Sequence, residues 1–328
     1  NPLPPNYCSD IIALRTVVRE GLQLVKQVIL NWLEFQKKFS TEEACRQHLF
    51  EMRWPDGFQC PKCGNKGFYQ LQKRKLYECK DCGYQASVTA GTIMHRTRTP
   101  LVVWFWTIYL VSSDKRGISA KYLSEHFGIT YPTAWLMLFK IRKAMQDRET
   151  KYILTGIVEM DDTFFGAPTE GGKRGRGTKK VKAVAGLSLT TKGYPQFLKL
   201  KVVENLKSDT LVEFANQEVA KGTTVSTDLY RSYNKLNEEG FNHTPKEFNH
   251  KEDPDHLKWL HTVISNVKAF IGGTYHGLGP KHLQYYLTEY CYRFNRRKFK
   301  GQLFNRLLNA CISTTTVTYE QLVRPILT

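Results

Sequence analysis

Aspartates follow apolar, strand-like stretches at two places in the second half of the chain. The stretch VEMDDTFFG (158–166) carries Asp161 and Asp162, and the stretch TVSTDLY (224–230) carries Asp228. A carboxylate at the end of an apolar strand is unfavourable unless it is paired or binds a ligand. Two such carboxylates can converge on Mg²⁺ or Mn²⁺, which would activate a water molecule against a phosphodiester. The pattern alone is weak evidence, because aspartate is also common in ordinary turns.

A histidine and a lysine lie seven residues apart in HTVISNVK (261–268), a segment that we predict to be helical. Seven residues make almost two helical turns, so His261 and Lys268 share one face of the helix. Such a pair can contribute to a metal and phosphate site. It can equally be a solvated pair on an ordinary amphipathic helix, and the choice depends on what the rest of the chain supplies.

Four cysteines form two pairs with metal-binding spacing, Cys60-Pro-Lys-Cys63-Gly and Cys79-Lys-Asp-Cys82-Gly. The glycine after each pair suits the positive φ angle of a tight turn. Two such turns present four thiolates, which predicts a closed tetrahedral site for structural zinc with no open position for catalysis. The remaining cysteines are scattered, at Cys8, Cys45, Cys291 and Cys311. This usage indicates a reduced, intracellular environment and not a disulfide framework.

Residues 117–145 predict two helices joined by a glycine turn. The first helix ends at Phe127, the turn begins at Gly128, Thr130 can cap the second helix, and Pro132 is tolerated in its first turn. The arrangement is typical of a DNA-binding helix-turn-helix, whose second helix enters the major groove, although an ordinary helical hairpin has the same pattern. The residues of the second helix that we expect to contact DNA are Tyr131, Thr133, Lys140 and Lys143.

The chain is strongly basic, with 48 lysines and arginines against 30 aspartates and glutamates in 328 residues, a formal net charge of +18. Such an excess favours a polyanionic partner, most often nucleic acid. Basic residues cluster between the cysteine pairs, in a glycine-rich loop (171–180) and near residue 296, and the alternative is that these are solvated surfaces. The clustered residues that we expect to contact DNA are Lys73, Arg74, Lys75, Lys173, Arg174, Arg176, Arg296 and Arg297. No apolar run approaches the length of a bilayer, so we expect no membrane association.

The helical and strand patterns divide the chain into five regions. We predict a helical N-terminal region (1–55), a zinc ribbon (56–95), a helix-turn-helix region (96–150), a β-rich domain (151–300) and a C-terminal tail (301–328). In the β-rich domain, the strand candidates are 153–159, 181–189, 197–203 and 223–227, and the helix candidates are 208–220, 256–272 and 280–295. Residues 240–255 are polar, and we predict them to be irregular.

Several of these stretches occur together, in the same order, in one known group of proteins. The chain resembles the insertion-sequence transposases that carry an N-terminal zinc ribbon and a ribonuclease-H-like catalytic domain of the DDE type, a group related to the Merlin elements. The resemblance spans roughly residues 45 to 300 and rests on the ribbon, VEMDDTFFG, GGKRGRG, STDLYRSY, GTYHGLGPKHLQYYL and YRFNRR. It implies a multidomain α+β chain with a helical N-terminus, a zinc ribbon, a helix-turn-helix and a ribonuclease-H-like α/β catalytic domain with a mixed sheet.

The resemblance also implies roles for individual residues. Asp161 and Asp228 look like the first and second catalytic aspartates, His261 lies where many members have glutamate, and Lys268 matches the family's helical lysine. By this resemblance Asp161, Asp228 and His261 would bind catalytic Mg²⁺ or Mn²⁺, and Lys268 would contact a DNA phosphate. Imidazole suits Mn²⁺ better than Mg²⁺. The alternative third ligands are the nearby acids Glu252, Asp253 and Asp255, with Asn266 as a lesser candidate.

The activity implied by the resemblance is DNA transposition. The protein would bind the terminal inverted repeats of a mobile element, cleave a strand with the help of metal, and transfer that strand to target DNA. Two element ends must meet, so we expect a homodimer or a larger assembly on double-stranded DNA, acting inside the cell on chromosomal DNA. Two alternatives stay open: a non-catalytic DNA-binding protein of domesticated or decayed origin, and a nuclease of the same fold that does not join strands.

Overall fold

The computed structural model describes residues 30–166, 171, 175–247, 252–276 and 278–323. It begins with two helices, α1 (Trp32–Lys38) and α2 (Glu42–Arg53). Each helix starts after a residue whose side chain accepts a hydrogen bond from a backbone N–H of the first turn, Asn31 in α1 and Thr41 in α2. These caps satisfy donors that the helix itself leaves unpaired. The part of the predicted N-terminal helical region that precedes residue 30 lies outside the described residues.

A small antiparallel sheet follows, with the strands in the order β1 (Phe68–Leu71), β2 (Leu76–Cys79) and β3 (Gln85–Ala86). Gly64 and Gly83, which follow the two cysteine pairs, have φ angles of +77° and +66°. Both turns therefore use a conformation that other residues rarely adopt. The chain forms the compact strand-and-turn region that the cysteine pairs predict.

Three helices follow the ribbon: α3 (Leu101–Ser113), α4 (Ala120–Phe127) and α5 (Tyr131–Glu149). The apolar helix α3 is buried on several sides, which is typical of a core helix. It has 13 residues, and no helix in the described parts of the chain is long and apolar enough to cross a membrane. Gly128, in a left-handed conformation, ends α4, and the Thr130 hydroxyl accepts a hydrogen bond from the N–H of Thr133 at the start of α5.

The second half of the chain forms a five-stranded mixed sheet. Its antiparallel strands are β4 (Ile157–Phe165), β5 (Val181–Leu189) and β6 (Pro195–Val203). Its parallel strands are β7 (Thr224–Thr227), which pairs with β4, and β8 (Asn242–Pro245), which pairs with β7. The strand order is β6-β5-β4-β7-β8. Three antiparallel strands extended by two parallel strands form the ribonuclease-H-like arrangement, so the predicted fold class is confirmed.

Helices cover both faces of this sheet. Helix α6 (Ser208–Glu218) and a 3₁₀ turn (Arg231–Leu236) pack on one face. Helices α7 (Lys258–Thr274) and α8 (Leu283–Arg296) pack on the other. Because successive residues of a strand point to opposite faces, β4 presents Met160 to the α6 side and Asp161 to the α7 side.

The chain returns to the first half of the molecule after α8. Helices α9 (Leu303–Ser313) and α10 (Tyr319–Val323) lie in the region that the sequence analysis assigns to a tail. Phe304, Leu307 and Leu308 of α9 are buried in the same hydrophobic core as α1 to α5. Their spacing places them on one face of the helix, which explains why the segment is ordered against that core.

Two strands differ from the sequence prediction. The strand predicted at 153–159 begins at Ile157, because Gly156 has a φ of +84° and interrupts the extended path. It then continues through Asp161 to Phe165, so the carboxylates lie within the strand and not at its end. Strand β8 lies in the segment predicted to be irregular; its sequence, Asn-His-Thr-Pro, is polar, and it is an edge strand of the kind that tolerates a terminal proline.

Candidate active site

Asp161 lies in the middle of β4 and contacts the first turn of α7. Its Oδ2 is 3.0 Å from Nε2 of His261. Glu159, two residues earlier on the same strand face, accepts a 2.8 Å hydrogen bond from the backbone N–H of Leu260. Helix α7 has no cap of its own, because its N-cap residue is Leu257 in a left-handed conformation. Glu159 supplies that cap and fixes α7 against β4 in the register on which the Asp161–His261 contact depends.

Asp228 lies immediately after β7, the strand parallel to β4. Its Oδ2 is 2.7 Å from the guanidinium of Arg176, and the same guanidinium nitrogen is 2.7 Å from Oδ1 of Asp162. The other oxygen of Asp228, Oδ1, accepts a 3.1 Å hydrogen bond from the N–H of Tyr230. The guanidinium also stacks on the Tyr230 ring, 3.8 Å from its centroid. Arg176 therefore joins β4, the end of β7 and the glycine-rich segment.

The carboxylates affect one another electrostatically. Burial raises the pKa of the Asp162 carboxyl, Asp161 and Asp228 raise it further, and Arg176 opposes the rise. Burial and the same three carboxylates raise the pKa of Tyr233, which is buried beneath the site. Like charges this close favour a bound cation, because a cation relieves their repulsion.

Lys268 lies on α7, seven residues after His261, as the sequence predicts. Burial lowers the pKa of its ammonium group, Lys180 lowers it further, and Asp161 raises it. Asp161 thus interacts with both members of the pair: directly with His261 and through the electrostatic field with Lys268. Lys180 and Lys268 form a basic region beside the carboxylates, which suits a phosphate group.

Two donor groups of this site, Asp161 and His261, suit a divalent metal ion, whereas the structure does not bring the donor atoms of Asp161, Asp228 and His261 within 4.8 Å of one another as a set of three. Asp161 Oδ2 and His261 Nε2 are 3.0 Å apart, a hydrogen-bond distance, and both groups can also bind a divalent ion. Asp228 and Asp162 instead hold a cation of the protein's own, the Arg176 guanidinium. Carboxylate oxygens suit Mg²⁺ and Mn²⁺, and the imidazole shifts the preference towards Mn²⁺.

The four cysteines converge at one end of the ribbon. The Sγ atoms of Cys60 and Cys82 are 3.6 Å apart, and those of Cys63 and Cys79 are 3.5 Å apart. Tetrahedral zinc with bonds of about 2.3 Å places its sulfur ligands about 3.8 Å from one another. All four Sγ atoms lie within 4.8 Å, and within the described ranges no other set of three or more Cys, His, Asp or Glu residues converges as closely. The ribbon fits structural zinc.

The residues that the sequence analysis expects to contact DNA at the ribbon and at α5 have different environments. Three lie exposed in the turn between β1 and β2: Lys73, Arg74 and Lys75. At the start of α5, Tyr131 is exposed, whereas Thr133 is half-buried. The Thr133 hydroxyl forms a hydrogen bond with the Thr130 hydroxyl. Further along α5, burial lowers the pKa of Lys140, and Lys143 forms a 2.7 Å ion pair with Asp147. The exposed turn and Tyr131 are the most accessible of these positions.

The basic cluster at the end of α8 belongs mostly to the interior. The Arg296 side chain is buried, pairs with Glu149 at the end of α5, and stacks on Tyr292 at 3.7 Å. We therefore remove Arg296 from the expected DNA contacts: its guanidinium holds α5 to α8. Arg297 is half-buried, and it donates hydrogen bonds to backbone carbonyls near the start of β6.

The basic loop divides into a described and an undescribed part. Lys173 and Arg174 lie outside the described residues, whereas Arg176 points into the acidic site. This ion pairing is not evident from the sequence, because a run of glycines and basic residues resembles a solvated loop. The capping role of Glu159 is not evident either, although its spacing of two residues from Asp161 indicates a shared strand face.

Comparison with known proteins assigns the chain to a family. The model of the ISXO2-like transposase domain matches residues 153–295, and that of the transposase zinc-ribbon domain matches residues 40–85. A transposase-like protein of Haemophilus influenzae is 30% identical over 108 residues, which cover 31% of this chain and 84% of that protein. The chain belongs to the transposases and contains an ISXO2-like transposase domain. Asp161, Asp228 and His261 of this transposase all lie within the first match.

Two further similarities were found. A protein in the transposable element ISH50 of Halobacterium salinarum is 25% identical over 222 residues, which cover 62% of this chain and 72% of that protein. The crystal structure of the Mos1 mariner paired end complex with Mn covers 94% of this transposase and 93% of its own chain, with 10% identity and a TM-score of 0.27.

Proposed function

We propose that this transposase cleaves and joins DNA strands at the ends of a mobile element. The site would consist of Asp161, Asp228 and His261 with a divalent metal ion. The observation that carries the proposal is the 3.0 Å approach of Asp161 Oδ2 to His261 Nε2, since the two residues are 100 positions apart in the sequence. The pairing of β7 with β4 supports it further, because it brings the strand that precedes Asp228 beside the strand of Asp161.

Each residue has a role that its surroundings support. Bound Mg²⁺ or Mn²⁺ would activate a water molecule and stabilise negative charge on the phosphodiester. Asp161 and Asp228 would supply hard oxygen ligands, and His261 would act as the third ligand or orient the water molecule. Glu159 would keep His261 opposite Asp161 through its bond to α7. Lys268 would bind a phosphate oxygen of the scissile strand.

The contacts of the rival third ligands favour His261. Asp253 pairs with Lys246, and Asp255 forms a 2.9 Å ion pair with Lys258. His261 contacts the proposed metal ligand Asp161 directly, whereas the ion pairs of Asp253 and Asp255 are with lysines. Glu252 is exposed. We therefore retain His261 as the proposed third member of the site.

We propose that the ribbon turn and the α4–α5 pair recognise the element ends. The turn carries Lys73, Arg74 and Lys75 for phosphate contacts, and α5 presents Tyr131 at its exposed start. Two buried ion pairs, Arg142–Glu289 and Arg296–Glu149, tie α5 to α8. A rigid connection of this kind would transmit the position of bound DNA to the catalytic domain. Joining two ends would require a dimer or a larger assembly.

The test is strand cleavage and joining on labelled element-end DNA, with Mg²⁺ and with Mn²⁺. The native protein is compared with His261→Ala and with Asp255→Asn, a control at a rival ligand. We expect joined products from the native protein and from Asp255→Asn, and none from His261→Ala, while all three still bind DNA. Cleavage without joining would indicate a nuclease. DNA binding without cleavage in either metal would favour the alternative of a non-catalytic DNA-binding protein. The histidine in place of glutamate supports that alternative.

A further inference from the structure

The guanidinium of Arg176 lies between Asp228, a ligand of the proposed metal site, and Asp162, the neighbour of the proposed ligand Asp161. One of its terminal nitrogens is 2.7 Å from Asp162 and from Asp228, and its Nε donates a 2.9 Å hydrogen bond to Asp162. The side chain is 36% exposed, so it reaches the site from the solvent side. One face of the guanidinium is covered by the Tyr230 ring.

These contacts use the carboxylate oxygen that a metal ion would need. Oδ1 of Asp228 accepts a hydrogen bond from the backbone N–H of Tyr230, and Oδ2 accepts one from the guanidinium of Arg176. A guanidinium and a divalent cation are both attracted to the Asp228 carboxylate but repel each other, so the two do not bind Oδ2 together at close range. Arg176 therefore competes with a cation at this position.

The segment that carries Arg176 has few described hydrogen bonds to the rest of the fold. Residues 175–177 form one exposed 3₁₀ turn, and Gly175 has a φ of +65° with no atom within 4 Å of the position a Cβ would take. Apart from the bonds of Arg176, the hydrogen bonds described for residues 175–179 join Thr178 to Gly175 and to the adjacent Lys180. Among these described bonds, those of the Arg176 side chain attach the segment to Asp162 and Asp228.

We propose that Arg176 is the internal counter-ion of the metal site: it neutralises Asp162 and Asp228 in the metal-free protein and leaves them when the divalent ion binds. This inference rests on the proposed function, because it takes Asp228 as a metal ligand. The released guanidinium would be free to bind a DNA phosphate, which agrees with the DNA contact that the sequence predicts for Arg176. Arg176 thus determines how readily the site accepts its ion.

The test is the affinity for Mn²⁺, measured by electron paramagnetic resonance of the free ion with the full-length, zinc-loaded protein in the absence of DNA. The variants are Arg176→Gln, Arg176→Lys and Asp228→Asn, with Lys179→Gln as the matched control. Lys179 is an exposed residue of the same segment, and no ion pair of its side chain occurs in the described part of the structure.

We expect Arg176→Gln to bind Mn²⁺ about tenfold more tightly than the native protein, because two partly exposed ion pairs no longer compete. Arg176→Lys should give a smaller gain, since lysine keeps the charge but loses the planar fork that reaches two carboxylates. Lys179→Gln should match the native affinity, and Asp228→Asn should bind more weakly.

The outcomes separate the two proposals. If Asp228→Asn weakens binding but Arg176→Gln does not strengthen it, the counter-ion role is overturned and the proposed function stands. An equal gain from Lys179→Gln would also overturn the role, because it would show a general effect of charge. If Asp228→Asn leaves the affinity unchanged, the assignment of Asp228 as a ligand fails. Circular dichroism checks that each variant folds. If Arg176→Gln does not fold, the Mn²⁺ affinity of Arg176→Lys decides whether the counter-ion role holds.

Discussion

Replacing Glu289 with alanine should strongly destabilise the junction between α5 and α8. Glu289 and Arg142 are both almost fully buried, and their ion pair measures 2.7 Å. The Tyr275 hydroxyl lies 3.3 Å from the second carboxylate oxygen, and the Arg142 guanidinium stacks 4.0 Å from the centroid of Tyr286. Removing Glu289 would leave a buried guanidinium without its negative partner, which typically lowers the free energy of unfolding by about 3–5 kcal/mol.

The assay is urea unfolding followed by circular dichroism, with the zinc-loaded protein. We expect Glu289→Ala to lose about 3–5 kcal/mol, whereas the double variant Arg142→Met/Glu289→Leu should recover most of that loss, because apolar residues of similar volume need no partner. A loss below about 1 kcal/mol for Glu289→Ala would refute the reasoning, since it would mean that water reaches the guanidinium. If the double variant is as unstable as Glu289→Ala, the loss of stability comes from the packing of the side chains between α5 and α8 and not from an unpaired charge.

Three further predictions concern other parts of the molecule. Cys63→Ser should abolish the thiolate-to-Co²⁺ absorption of the cobalt-substituted ribbon and should unfold that region, which limited proteolysis would detect; unchanged absorption would contradict the four-thiolate site. Gly117→Ala should lower the free energy of unfolding by roughly 2 kcal/mol in urea titrations, because Gly117 has a φ of +85° and an added Cβ would overlap Tyr275. Burial, and after it the charge of Lys38, lower the pKa of His48 from 6.5. As the pH falls, the unfolded chain therefore binds a proton at this histidine before the folded protein does, and the free energy of unfolding should fall below about pH 6.5. In His48→Gln, the free energy of unfolding should depend less steeply on pH.

The sequence predicts what depends on local spacing. The cysteine pairs form the ribbon because a Cys-x-x-Cys turn followed by glycine is specified within five residues. Gly128 and Thr130 mark the turn between α4 and α5 because C-capping and N-capping are also local. The shared helical face of His261 and Lys268 follows from the helical period alone, and the structure agrees with it.

Features that depend on packing could not be predicted in the same way. Arg296 looks like part of a basic surface cluster, but the rotation of α8 against α5 turns it towards Glu149. Arg176 looks solvated, and only the return of its loop to the sheet brings it to Asp162 and Asp228. Strand β8 has too little apolar character to be recognised, and its place depends on the free edge of β7.

Asp228→Cys is the decisive test of the proposal that Asp228 binds the metal ion that acts on DNA. A thiolate binds Mg²⁺ poorly and accepts softer ions such as Mn²⁺ more readily. We predict that Asp228→Cys binds element-end DNA normally, loses strand cleavage in Mg²⁺, and regains a substantial part of it in Mn²⁺, whereas Asp228→Ala stays inactive in both. Equal activity of Asp228→Cys and the native protein in Mg²⁺, or inactivity of Asp228→Cys in both metals despite normal DNA binding, would contradict the claim.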